Sequence, residues 1–136
     1  MIIIQKNKIK NNLYHKTDNL ETNKQKILVT SNFWIEKKKE LLKKKLDLGI
    51  ELNSDASINI IEKDLNSFSL IQFNFIAFKD GRPFTYARKL RELYKFKKEI
   101  RASGNIIPDQ YIFLLRCGFD SVEIEDKKKE IWLKLL

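Results

Sequence analysis

FNFIAFKDGRPFTYARKLRELYKFKKEIRASGNIIPDQYIFLLRCGFD, residues 73–120, decides the fold, because its polar residues stand where strands end and helices begin. The run Ser69–Ala77, SLIQFNFIA, is β-prone and largely apolar, which suits a strand covered on both faces, as in a parallel sheet. Asp80-Gly81-Arg82-Pro83 turns into a helix over about Phe84–Tyr94, and Pro83 fits the first helical turn, where its missing amide would be unpaired anyway. Ala87, Leu90, Leu93 and Tyr94 form the inner face of that helix, with Arg88 and Glu92 spaced to pair outside. Glu99–Ala102 predicts a short strand and Ser103-Gly104-Asn105 a turn. Pro108–Cys117 predicts a helix that buries Ile112, Phe113 and Leu115 and ends at Gly118.

Working outward, Ser121–Glu125 predicts a last strand, in which Glu123 and Glu125 share one solvent-facing side. Lys127–Leu136 predicts a terminal helix with Ile131, Trp132 and Leu135 inward. Upstream, Asn32–Leu46 is an amphipathic helix carrying Phe33, Trp34, Leu41, Leu42 and Leu46 at helical spacing. Leu48–Leu52 is a strand closed by the turn residues Asn53-Ser54-Asp55, and Ile58–Leu65 suits a short helix. Residues 1–26 are rich in Lys and Asn and read as a basic extension with a short strand at Met1–Ile4. Residues 27–136 form the domain proper. Strands and helices alternate, so the expected class is a single α/β domain with a mainly parallel sheet flanked by helices, either an open sheet or a partial barrel.

The chain's 136 residues and 43% hydrophobic content suffice for a core without disulfides. One cysteine, Cys117, allows no intrachain disulfide, and with the single His15 it offers no zinc site. Cys117 falls at the C-terminal end of its helix, where it reads as a buried structural thiol. No glycine-rich nucleotide fingerprint is present, so no cofactor and no metal are expected. No segment has the signature of a secretion signal or a membrane span, which makes the cytoplasm the expected compartment.

The net charge is +9, but residues 1–50 hold twelve lysines against five acidic residues, leaving 15 basic and 13 acidic groups thereafter. A nucleic-acid interface would therefore lie in the Lys-rich N-terminal half. It lacks the interleaved aromatic and basic residues such an interface uses, so nucleic acid is not the expected partner. All five arginines, Arg82, Arg88, Arg91, Arg101 and Arg116, fall within residues 73–120.

Parallel α/β folds bind ligands beyond the carboxyl ends of their strands. That rule gathers Asp80, Gly81, Arg82, Ser103, Gly104, Asn105, Asp109 and Gln110 on one rim, with Arg101 near the end of its strand. Arg82 and helix-terminal amides there would suit a phosphate, sulfate or carboxylate. The competing reading is that Asp80 caps the first helix, Asp109 lies in the first turn of the second, and Arg82 and Arg101 pair with them to lock the loops.

The blocks DGRPFTYARKLRELY, EIRASGNIIPDQ and LLRCGFD, in that order, closely resemble the bacterial family known as domain of unknown function 934, over about Ile27–Asp126. Asp80, Gly81, Arg82, Ala87, Arg88, Arg91, Arg101, Gly104, Asp109, Gln110, Arg116, Cys117, Gly118 and Asp120 match its motif. None has a known catalytic role in it. The chain departs from the family at Asn105, commonly an aspartate, and at Pro83, often a glycine. Such proteins are often encoded beside assimilatory sulfite reductase and sometimes carry an oxidoreductase label. The resemblance implies an accessory protein of sulfate and sulfite reduction that binds sulfite reductase, another sulfur-assimilation protein or a small anion through the rim. The alternative it implies is a small enzyme acting on an anionic sulfur metabolite, with Asp80 or Asp109 in acid/base work.

Overall fold

The computed structural model describes residues 1–136 as an α/β domain with a curled, open sheet of eight strands, a half-barrel with four helices. The strands are β1 (Ile2–Gln5), β2 (Lys8–Asn11), β3 (His15–Lys16), β4 (Lys26–Thr30), β5 (Asp47–Asn53), β6 (Leu70–Phe75), β7 (Glu99–Gly104) and β8 (Ser121–Ile124). Their order across the sheet is β2-β1-β8-β7-β6-β5-β4-β3. All neighbours from β3 to β8 are parallel, and β1 pairs antiparallel with both β2 and β8. The expected strand at Met1–Ile4 is thus β1, and residues 1–26 also supply both edges of the sheet.

The helices are α1 (Ser31–Lys43), α2 (Arg82–Glu92), α3 (Tyr111–Cys117) and α4 (Lys129–Lys134). From β4 to β8 each strand lies beside its predecessor in sequence, and right-handed crossovers then put α1, α2 and α3 on one side of the sheet. That convex side holds the main core. Val29, Ile50, Ile71 and Ile100 run in register across it and meet Trp34, Leu41, Ala87, Leu90 and Leu114 from the helices.

Between β5 and β6 the expected helix over Ile58–Leu65 is replaced by two 3-10 turns, Ile58–Ile60 and Leu65–Ser67. Ile58, Ile61 and Phe68 still fill the place a helix would cover. Ser57 competes for the backbone at the start of the segment; its hydroxyl accepts from the Asn59 amide at 3.1 Å and caps the first turn.

The inner faces of all four helices differ in part from expectation. In α3 the inward residues are Tyr111, Leu114 and Cys117, while Ile112, Phe113 and Leu115 are exposed. Nearly every position there is apolar, so periodicity alone does not choose a face. In α4 only Trp132 is buried, with Ile131 and Leu135 outward, and Leu42 and Leu93 are exposed as well.

The arginine-rich motif residues hold this framework together. Arg91 on α2 donates to the carbonyls of Gly118, Phe96 and Lys98 at 3.0, 2.8 and 2.7 Å and to the Asp120 carboxylate at 2.7 Å. The same Asp120 oxygen accepts from the Ile100 amide at 2.9 Å. Gly118 has φ +112°, and a Cβ there would come within 2.7 Å of Arg91 Cγ, so both conformation and packing demand glycine. Arg88 donates to the buried Cys117 sulfur at 3.5 Å rather than pairing with Glu92.

Candidate functional site

Two surfaces sit at or near the carboxyl ends of the parallel strands. The first is the expected rim. The β6–α2 and β7–α3 loops are joined directly: Asn105 donates its backbone N–H to the Phe75 carbonyl at 2.9 Å and its side-chain amide to that of Ile76, and Gln110 reaches the Phe78 carbonyl at 3.1 Å. Gln110 also accepts from the Ile107 amide. Gly104 has φ +85°, and a Cβ would collide with Asn74 Oδ1 and the Phe75 carbonyl oxygen, so the tight exit from β7 requires glycine.

Asp80 and Arg82 satisfy each other. The carboxylate accepts from Arg82 Nε at 2.9 Å, Nη2 at 2.7 Å and the Arg82 backbone amide at 3.1 Å. The Arg82 guanidinium, followed by the Ser54 hydroxyl, holds the Asp80 carboxyl well below the usual range. Asp80 is thus a fixed anion that spends Arg82's charge, a poor proton carrier beside a poor anion trap. None of the cavities in the protein touches Asp80, Gly81 or Arg82. Asp109 lies exposed in the 3-10 turn Pro108–Gln110 that leads into α3.

The rim's remaining surface is apolar. Ile76, Phe78, Ile107 and Phe113 are 43–49% exposed beside Lys79 and Arg82. Phe113 is anchored by Phe84 at a ring separation of 4.8 Å, and Phe84 packs on Phe75 and Phe119. The aromatic stack thus fixes α2 and α3 under the loops.

The second surface is the concave, helix-free face, which sequence reasoning missed. Thr30, Glu51, Gln72, Arg101 and Ser121 lie in register across β4 to β8, and Asn53, Asn74 and Ser103 one step nearer the carboxyl ends. Arg101 is therefore mid-strand rather than near the strand's end, and only 3% exposed. Its guanidinium binds Glu99 at 3.0 Å, Ser121 Oγ at 3.3 Å, Asn12 Oδ1 at 3.2 Å and Gln72 Oε1 at 3.4 Å. Gln72 passes the chain of bonds to Glu51 at 2.7 Å, and Glu51 to Lys16 at 2.7 Å. Arg101 pairs with Glu99 rather than with Asp109.

Residues 12–14 form a strap across this face between the β2 edge and the β3 edge. Tyr14 hydrogen-bonds Ser69 at 2.6 Å, packs with Leu28 and Leu70, and lies under the Arg101 guanidinium at 5.6 Å. Asn12 donates to Glu123 Oε2 at 2.9 Å. The β6 run is thus covered on both faces, but its second cover is polar.

Glu123 corrects the expectation of a solvent-facing carboxylate. It is half-buried, lines a cavity of about 170 Å³ with Asn105 and Trp132, and burial pushes its pKa up, with Arg101 opposing and Glu51 adding. Glu123→Gln keeps an acceptor for Asn12 and removes the charge. Because the folded-state value is raised above the ordinary 4.5, the parent loses stability as pH rises through it. The variant should melt with the parent near about pH 3 and above it near about pH 7. A lower melting temperature than the parent's at neutral pH would refute the assignment.

No cluster of three His, Cys, Asp or Glu side chains suited to a metal is present, and no helix is long and apolar enough to cross a membrane. A family model described as bacterial protein of unknown function (DUF934) matches residues 49–135. No curated protein and no solved structure matches the chain.

Proposed function

We propose, from the premise that the chain belongs to the DUF934 family, that it is a cytoplasmic accessory protein of assimilatory sulfate and sulfite reduction that docks a partner protein through its rim. The observation that carries the reading is the rim's chemistry: locked loops, no cavity at Arg82, and exposed Ile76, Phe78, Ile107 and Phe113 beside basic side chains. Aromatic and aliphatic anchors with an arginine are what protein interfaces use, whereas a small anion needs an unpaired cation or free amides in a recess.

Gly81 supports the same reading. Its φ is −86°, and a Cβ at that position would meet nothing within 4 Å, so the fold itself does not call for glycine there. Close approach of a partner's backbone would. The pathway rests on the gene neighbourhood that the family resemblance implies, with sulfite reductase or another sulfur-assimilation enzyme as the partner.

Tagged protein recovered from cells grown on sulfate should carry sulfite reductase, and Phe78→Asp should reduce that recovery about tenfold or more, the loss expected of a central anchor. Gly81→Ala should reduce it too while leaving the melting temperature unchanged. Unimpaired growth of a deletion strain on sulfate and sulfite would end the pathway assignment. Recovery of sulfite reductase unaffected by both substitutions would move the docking surface elsewhere.

A further inference from the structure

The strap over the concave face leaves a recess of about 150 Å³ against the β1–β2 hairpin, room for roughly five waters. Its lining includes Lys26 and Glu99, the first residues of β4 and β7, so it lies at the amino ends of the parallel strands. The rim occupies the other ends.

The charge of the recess is positive. Lys10, Lys26 and Arg101 line it against a single carboxylate, Glu99. That carboxylate is already engaged: one oxygen accepts from Arg101 Nε at 3.2 Å, Arg101 Nη2 at 3.0 Å and the Ser121 hydroxyl at 2.6 Å. Among carboxylates Lys26 meets only the exposed Asp47, at 3.7 Å, and Lys10 makes no ion pair. Once Arg101 is set against Glu99, the charge of Lys10 remains unopposed and that of Lys26 is only loosely met. Tyr14 holds two of the cations without neutralising them, with Lys26 Nζ 4.9 Å and the Arg101 guanidinium carbon 5.6 Å from its ring centre.

Donors are left over as well. Arg101 is 3% exposed, and its Nη2 gives one N–H to Glu99 while no group in the protein takes the second. Gln5 and Asn11 also line the recess, and their side-chain NH2 groups have no partner; the Gln5 carbonyl accepts from Lys10 at 3.3 Å. Surplus positive charge together with unused N–H groups from β1, β2 and β7 suits an anion that offers several oxygens. A carboxylate offers two, a tetrahedral oxyanion three or four.

We infer that this recess binds a tetrahedral oxyanion of the phosphate or sulfate kind, free or as the end group of a small molecule. Lys10 and Lys26 supply the charge, and Arg101, Gln5 and Asn11 supply further N–H donors. The site depends neither on docking at the rim nor on the pathway.

The test titrates the full chain with sodium phosphate, sulfate, methyl phosphate or acetate at constant ionic strength, followed by backbone and side-chain NMR. Phosphate and sulfate should saturate with a Kd of about 1 mM or tighter, shifting Gln5, Lys10, Asn11 and Lys26. Acetate should bind at least about tenfold more weakly. Methyl phosphate that binds as well extends the inference to ester end groups, and methyl phosphate that is refused restricts it to the free ion.

Lys10→Gln combined with Lys26→Gln should weaken binding about tenfold or more, and Lys10→Gln alone, at an exposed position, several-fold with the melting temperature kept. Lys39→Gln combined with Lys43→Gln removes the same charge from exposed positions on α1 and should leave binding unchanged. Equal losses in the two double variants would overturn the inference, since the anion would then answer only to net charge. So would acetate binding as tightly as phosphate, shifts scattered over lysines outside the recess, or no saturable binding.

Discussion

Arg101→Ala is expected to lower the stability of the protein by about 3–5 kcal/mol, the cost of removing one partner from a buried, hydrogen-bonded charge pair. Arg101 is 3% exposed and donates to four side chains on three elements and the strap. Its removal leaves Glu99 with only the Ser121 hydroxyl and takes a donor from the Gln72 and Asn12 carbonyls. The loss should appear in urea unfolding followed through Trp34 and Trp132, with a fall in melting temperature on the order of 10 °C for a chain of this size. The strap should loosen first, exposing the Tyr14 ring. A change below about 1 kcal/mol would mean that the concave face is hydrated enough to replace the guanidinium with water.

Phe73→Ala should cost a similar amount for the opposite reason, about 3–5 kcal/mol from lost burial plus a cavity that the sheet cannot close. Phe73 is fully buried on the convex side of β6, with its ring 6.0 Å from Phe119 and 6.1 Å from Tyr86. It touches both the loop after α3 and the helix that carries the rim. Phe73→Leu, which keeps most of the volume, should lose much less. Equal losses for alanine and leucine in a denaturant titration would point to strain on the aromatic stack rather than to a cavity. Because Phe73 and Arg101 face opposite sides of adjacent strands, their double variant should sum to nearly the two separate losses.

The strand-and-helix order was legible because turn residues punctuate it: Asp80 to Pro83, Ser103 to Asn105 and Gly118 each stand at an element boundary. The faces of the short helices were not. YIFLLRC in α3 offers apolar side chains on almost every side, and it is packing against the rest of the core that selects Tyr111, Leu114 and Cys117.

The polar face was written in the sequence but needs a comparison across strands. Glu51 and Asn53, Gln72 and Asn74, and Arg101 and Ser103 all alternate with apolar neighbours. Three strands repeating that alternation indicate helices on one side only, as in a curling sheet, rather than on both. The rim loops were legible as neighbours, and so was the pairing of Asp80 with Arg82, whereas the pairing of Arg101 with Glu99 rather than Asp109 depends on the strand register, which residue types alone do not fix.

The antiparallel seam between β1 and β8 has a consequence for synthesis. Ile2 to Gln5 must pair with Ser121 to Ile124, so a strand made early waits for one made far downstream before the sheet can close. Such long-range pairing slows folding, and until it forms the apolar run Ile2–Ile4 is an unprotected edge in the nascent chain. Nascent chains arrested before residue 121 should therefore stay sensitive to protease around residues 2–5, while chains in which residues 121–124 are free to fold become resistant there in one late step.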